Sequence, residues 1–340
     1  MCTAARAAAV SGLVAVLVFL AACTAKPPGN SPFNGQVSWT QVTSPGPPPR
    51  WGHVAVLDTA RNRVLVWGGI DNTGVRSDLW ALSLSTNTWQ QLSAPGGPGG
   101  RFTAGAVADP TRNRMILVGG SNFSATNEVW SLDLARLTWS PLPQGPAARY
   151  DVGSSTNGTK AWFYGGYSAT NAALDDLWEL DLATDTWTMR DGGSPRPSPR
   201  TNTAFGAIGT SLLLSGGHDE DSTNPDTWRF SLMSGQWTKL TEANEPLARA
   251  HYASAPDPAC AAVWMFGGDR MNNVDTSELL ALVGPSSTAA FWPTTIGPPK
   301  MRRHSAVVIE PISRRLVMFG GWQGDTTLLG DTWIAQLPSC

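Results

Sequence analysis

Six Gly-Gly pairs punctuate the chain: Gly68-Gly69, Gly119-Gly120, Gly165-Gly166, Gly216-Gly217, Gly267-Gly268 and Gly320-Gly321. Successive pairs lie 51, 46, 51, 51 and 53 residues apart, and each ends a short apolar run. A period in this range is the signature of a repeat architecture, in which a small unit that cannot bury its own apolar face is stacked against copies of itself. The 340-residue length exceeds the usual size of one hydrophobic core, which repetition of small sheets circumvents.

Residues 50–100 give the clearest unit. The segment WGHVAVLD alternates small and apolar positions after Arg50, and Thr59-Ala60-Arg61-Asn62 supplies a turn. RVLVWGG then reads as a buried strand, DLWALSLS as a third strand after a polar loop, and TWQQLS as a fourth. Other copies repeat the punctuation. An acid stands two before a Trp in Asp78-Leu79-Trp80, Glu128-Val129-Trp130, Asp176-Leu177-Trp178, Asp226-Thr227-Trp228 and Asp331-Thr332-Trp333. A second Trp follows nine residues later at Trp89, Trp139, Trp187 and Trp237. Arg50, Arg101, Arg149, Arg200, Arg249 and Arg302 precede their Gly pairs by 16 or 18 residues, an even offset that keeps one strand face.

Six Gly pairs in phase with two Trp ladders resemble the Kelch family of β-propellers across roughly residues 37–340. The resemblance implies an all-β, six-bladed Kelch-type propeller with four antiparallel strands per blade. The fifth copy departs from the pattern, because Glu278-Leu279-Leu280 lacks the third-strand Trp and Trp292 arrives late. The last copy stops after IAQLPSC without a fourth-strand Trp, whereas VSWTQV with Trp39 supplies one at the other end. The N-terminal strand is therefore expected to complete the last blade, closing the ring and removing two open sheet edges.

The segment before the repeat bears on location. Residues 1–22 carry one charge, Arg6, and a 16-residue apolar run too short for a bilayer span, ending in Leu20-Ala21-Ala22-Cys23. This resembles the bacterial lipobox, which implies a lipoprotein signal peptide over 1–22, lipidation at Cys23, and an extracytoplasmic, membrane-anchored protein in the cell envelope. A plain secretory signal cut nearby is the alternative. Residues 23–36, rich in Pro, Gly, Asn and Ser, read as a flexible tether spanning on the order of 40 Å when extended at roughly 3.1 Å per residue. Strand polarity puts the start of each first strand, and the loop after each Gly pair, on one face, here the top. The tether then enters at the bottom. Cys260 and Cys340 fall at the bottom of adjacent blades, and export makes a disulfide between them permissible; their radial positions leave the pairing open.

The formal net charge of −2 gives no electrostatic footprint for nucleic acid. About twelve of the sixteen Trp stand at repeat positions, which makes them core rather than a sugar-binding ladder. Function is sought in the unequal top loops, whose Tyr167, His218, Asp219 and Trp322 suit a saccharide or peptide. Two readings remain for the six arginines: a cationic ring that holds an anionic ligand, or a brace within each blade, which their repetition favours. His218-Asp219-Glu220-Asp221 lacks the spacing of a calcium loop. His53 is one residue out of phase with His251 and His304, which puts it on the opposite strand face and argues against a metal site. No metal and no cofactor is expected. Galactose oxidase also contains a Kelch propeller, but its cross-linked Cys–Tyr copper ligand has no counterpart expected here, with Cys260 at the bottom.

The leading expectation is a noncatalytic binding module for a glycan or protein ligand on the top face, without nucleic-acid partners. The rival is a Kelch enzyme resembling a sugar epimerase or mutarotase. Histidines and acids converging in one pocket would favour the rival, and a flat polar rim the module.

Overall fold

The computed structural model describes residues 33, 36–190, 192–219, 222–242, 248–270, 274–284, 288–292, 294–297, 299–324 and 326–340. Residues 1–22, where a signal peptide is expected, Cys23, most of the 23–36 segment, Glu220 and Asp221 lie outside the described residues.

The chain is all-β and built from antiparallel sheets of four strands. Sheet one comprises Val54–Asp58, Arg63–Trp67, Leu79–Ser83 and Thr88–Leu92. Sheet two comprises Gly105–Asp109, Arg114–Val118, Val129–Asp133 and Thr138–Leu142. Sheet three comprises Gly153–Thr156, Lys160–Tyr164, Leu177–Asp181 and Thr186–Met189. Sheet four comprises Ala204–Ile208, Ser211–Ser215, Asp226–Ser231 and Trp237–Glu242. Sheet five comprises Ala253–Asp257, Ala262–Phe266, Leu279–Val283 and Thr288–Trp292. The sixth sheet joins both ends of the sequence. Val37–Val42 pairs antiparallel with Thr327–Gln336, Trp39 opposite Ala335, and beyond that strand lie Arg315–Gln323 and Ala306–Glu310. A short strand, Thr294–Ile296, adds parallel to the outer side of Val37–Val42, an element with no counterpart in the other copies among the described residues.

Apolar side chains pack between neighbouring sheets. Trp139 of sheet two meets Trp67 of sheet one edge-on at 5.6 Å between ring centroids. Trp89 of sheet one meets Phe319 of sheet six at 5.4 Å, and Trp39 meets Phe266 of sheet five at 5.2 Å. In these contacts the fourth-strand Trp reaches across to an aromatic residue of the preceding sheet, whereas Trp187 meets Phe163 of its own sheet at 5.4 Å. Phe33, within the segment expected to be a tether, is buried with its ring 4.8 Å from that of Trp264. A phenylalanine gains too much from burial to be left on a solvated linker when such a surface is adjacent.

The Gly pairs have a steric cause. The amide of each second glycine donates to the carbonyl of the arginine opening the next sheet, from Gly69 to Arg101 through to Gly321 and Arg50, at 2.9 to 3.2 Å. That approach leaves no room for a side chain: a Cβ on Gly119 would lie 2.5 Å from the Arg149 carbonyl oxygen. Gly120, at φ +92°, holds a conformation that only glycine adopts without cost. The pair is therefore a contact between sheets rather than a strand terminator.

At the bottom, Cys260 and Cys340 form a disulfide with their Cα atoms 5.7 Å apart, joining the turn of sheet five to the C-terminus.

Candidate site at the channel mouth

The first strands of all six sheets line a central cavity of about 380 Å³. Its wall is mostly small or apolar, with Ala55, Ala106, Gly153 and Ala255 among the lining residues. Polar groups collect at the top, where the repeat places one residue per sheet two positions after each arginine: Gly52, Thr103, Asp151, Asn202, His251 and His304. Their backbones form a hydrogen-bonded cycle, each amide donating to the preceding member's carbonyl at 2.6 to 3.3 Å. The five that carry side chains all have φ between 51° and 56°. This left-handed backbone turns them away from the strand ladder, so the mouth is furnished by a position with no strand-period signal.

A second register completes the rim. The residue after each arginine bridges to the residue after the Gly pair: Trp51 with Ile70, Phe102 with Ser121, Tyr150 with Tyr167, Thr201 with His218, Ala250 with Asp269, and Arg303 with Trp322. Tyr167, His218 and Trp322, named from the sequence, all occupy this position. The same position holds Asp269, which the sequence reading passed over, and its partner position holds Trp51, Phe102 and Tyr150, also missed.

These side chains form an arc of rings. Trp51 stacks on Trp322 at 5.5 Å and lies 5.3 Å from Phe102 and 4.9 Å from His304. His304 lies 4.3 Å from His251, which lies 4.9 Å from His218. The arc continues from His218 to Tyr167 at 5.9 Å and from Tyr167 to Tyr150 at 5.3 Å. Phe123, 77% exposed, extends the other end beside Phe102.

Charge is distributed unevenly along the arc. Asp269 Oδ1 accepts from His251 Nδ1 at 2.5 Å, which fixes that ring, and Asp269 is also within 3.4 Å of Arg303. Burial pushes Asp269 up, but the hydrogen bond and charge of His251, aided by Arg303, hold it below the usual carboxylate range. Arg303 also packs over the Trp322 ring at 4.9 Å. Burial, together with the neighbouring His251 charge, lowers both His218 and His304, the latter well below the ordinary histidine value. His218 Nδ1 lies 2.8 Å from the Asp219 carbonyl, so Asp219 contributes backbone there, while its carboxylate accepts from the Ser222 amide. His53 points elsewhere, edge-on to Phe319 of sheet six, and burial lowers its pKa to about 3. Among the described residues no group of three or more His, Cys, Asp and Glu is arranged to hold a metal ion.

Asp151 differs from the other acids. Burial raises its pKa to about 6, against the opposing pull of the His251 charge and of the Asn202 and Thr103 side chains. A carboxylate whose folded pKa lies above its unfolded 3.8 favours folding while protonated and loses that contribution as pH rises through about 6. Asn tolerates the left-handed backbone there. Asp151→Asn should therefore melt close to wild type at pH 4.5 and higher at pH 8, by about 2–3 kcal/mol. Thermal melts of both proteins at the two pH values test this; an equal difference at both would refute it.

The arginines require a correction. Arg50, Arg149, Arg200, Arg249 and Arg302 are fully buried or nearly so, and Arg101 is 6% exposed. Each donates from Nη1 to the carbonyl of the first glycine of its own pair, at 3.0 to 3.2 Å. Each also pairs with the acid of the Asp-x-Trp or equivalent motif: Asp78, Glu128, Asp176, Asp226, Glu278 and Asp331. Where the Trp is present, its indole N–H donates to the same acid, as Trp178 does to Asp176 at 2.7 Å. The guanidinium forks are consumed within each sheet, so they brace the fold and do not form a cationic ligand ring.

Arginine, acid, Trp and Gly pair thus recur as one bonded unit in successive sheets. A family model described as the KLHDC2/KLHL20/DRC7 Kelch-repeats domain matches residues 33–146 and 113–282. The chain belongs to the Kelch-repeat family. Kelch repeats are generally protein-interaction modules, which supports a binding role for this member. In this Kelch protein the braced positions are the uniform ones, and the mouth above them is where the copies diverge.

Proposed function

We propose that this Kelch protein is an exported, noncatalytic binding module that holds a saccharide at the channel mouth of its top face. The observation that carries this reading is the arc of rings from Phe123 through Trp51 and Trp322 to Tyr167, set beside Asp151, Asn202 and Arg303. Aromatic faces receive the apolar faces of sugar rings, and flanking carboxylate, amide and guanidinium groups match their hydroxyls.

In this reading the six sheets are the blades of a propeller closed by residues 37–42. The pairing of those residues with 332–336 and the two cycles of hydrogen bonds between sheets support closure. The Cys260–Cys340 bond supports an oxidising compartment, in keeping with an export signal over 1–22 and lipidation at Cys23. The anchor would hold the bottom toward the membrane and present the mouth outward.

A glycan array probed with the purified protein, with Trp51→Ala and Trp322→Ala alongside, tests the saccharide assignment. Loss of one stacking face should weaken a bound glycan roughly tenfold, given about 0.5–1.5 kcal/mol per ring pair beyond buried area. Silence on the array with proximity labelling of one protein, lost in the same variants, would move the assignment to a protein ligand.

A specific observation favours a second reading, an acid–base enzyme resembling a sugar epimerase or mutarotase: His251 and Asp269 converge within hydrogen-bond reach beside His218 and His304. Proton NMR of anomerisation and epimerisation of the array hits decides it. Rates equal to buffer would leave the binding module standing.

A further inference from the structure

We propose that the channel mouth selects a saccharide carrying a protonated amine, a hexosamine unit with a free amino group, and that Asp151 is the carboxylate that receives it. This rests on the saccharide reading above and names its ligand class. The argument begins with the pairing of acids around the mouth. Asp269 and Asp275 both lie against Arg303, and Asp78, Asp176, Asp226 and Asp331 each pair with an arginine. Asp151 has no arginine or lysine as an ion-pair partner among the described residues. The groups facing it are His251 across the mouth, the neutral Asn202 and Thr103 side chains beside it, and the phenol of Tyr150, whose pKa is raised by burial and then by the Asp151 charge.

A carboxylate held in a recess without an arginine or lysine partner is costly, and His251, the cation facing it, is already bonded to Asp269, so a ligand cation would offset that cost. The other five copies carry Gly, Thr, Asn and, twice, His at this position, so the acid is not required by the backbone. The recess is also polar on its other walls: Thr203 Oγ1 and Ser305 Oγ line the cavity, buried and without a protein hydrogen-bond partner among the described residues. Hydroxyl-rich ligands satisfy such atoms. A ring face on the Trp51–Phe102 side, hydroxyl partners within, and an ammonium at Asp151 together describe an amino sugar better than a neutral one.

The test uses three tetrasaccharides that share a β-1,4-linked pyranose backbone: deacetylated chito-tetraose, its fully N-acetylated form, and cellotetraose. Isothermal titration of the purified protein at a pH just above about 6, where Asp151 is ionised and the amines stay largely protonated, should give at least tenfold tighter binding for the deacetylated tetramer than for the other two. Asp151→Asn should erase that preference while leaving the weak affinity shared by all three, and Trp51→Ala should weaken all three alike. A melting temperature of Asp151→Asn at or above that of wild type shows that the variant is folded. Equal affinities for the three tetramers, a preference that survives Asp151→Asn, or binding of none of them overturns the amino-sugar assignment. Binding of a neutral array glycan that depends on Trp51 but not on Asp151 would do so while leaving the saccharide-binding reading intact.

Discussion

Removal of residues 36–43 is expected to lower the melting temperature by roughly 10–20 °C, the largest effect of any change considered for this protein. The segment carries Val37 and Trp39, which are 0% and 5% exposed, and it pairs along its length with Thr327–Gln336. Deleting a buried Trp alone costs about 3–5 kcal/mol, and loss of the strand also opens the edge of residues 327–336 and uncovers Phe266 beneath Trp39. Trp39→Ala should produce about half of the shift, because it empties the packing site but keeps the ladder. Differential scanning calorimetry of the three proteins separates the contributions. An unchanged melt for the deletion would mean that the N-terminal strand decorates the last sheet without holding it, and closure of the ring by that strand would have to be abandoned.

Arg149→Ala should destabilise the protein by about 3 kcal/mol while leaving affinity for the mouth ligand unchanged. Its guanidinium holds Asp176 by 2.7 and 2.8 Å hydrogen bonds and caps the Gly165 carbonyl, so truncation strands an acid and a carbonyl together. Asp176 retains 27% side-chain exposure, which lets water recover part of the loss and keeps the figure toward the low end of a broken buried pair. The pH dependence follows from the same contact. Burial raises the Asp176 carboxyl, but Arg149 and the Trp178 indole outweigh it and hold the pKa below 3.8. A depressed carboxylate contributes stability above its unfolded pKa and loses it as pH falls through the folded one. The gap between wild type and Arg149→Ala should therefore be widest near neutrality and narrow on acidification below about pH 4. Denaturant titrations at neutral and acidic pH, with binding measured well below the midpoint, test both halves. Lost affinity in a folded variant would restore these arginines to the ligand site.

The two experiments bear on different kinds of sequence signal. The Gly pairs, the Asp-x-Trp motifs and the phased arginines were legible because each copy repeats the same chemistry at nearly the same spacing. What the sequence did not disclose is that these signals are one network. Trp178, Asp176, Arg149 and Gly165 are separated by up to 29 residues in the chain, yet a single carboxylate and a single carbonyl join them. Without that geometry the six guanidinium groups looked available, and the ligand-ring reading was open until burial closed it.

The mouth was harder to read. Tyr167, His218 and Trp322 stood out as unusual residues in unequal loops. Their common position directly after a Gly pair was visible in the sequence, and following it would have added Asp269. Asp151, Asn202, His251 and His304 share a repeat position, two after each arginine, but the left-handed backbone there hides which way their side chains face, because strand alternation no longer applies. The phase argument did separate His53 from the other histidines, and the structure places it against Phe319 and away from them. That argument could not bring His218 beside His251, since their approach depends on how two neighbouring sheets splay at the top.

The sequence by itself determined the repeat, the all-β class, the strand order within each copy and the pairing partner of Trp39, because all four follow from local periodicity and from a missing piece reappearing at the other end. Tertiary structure alone decided which repeated groups are spent on holding sheets together and which are left facing the cavity. The reason is physical: hydrogen bonds and ion pairs between sheets form across some fifty residues of chain, where spacing carries no information about direction, and the same Gly-Gly approach that marks the repeat also brings the six divergent positions to one mouth.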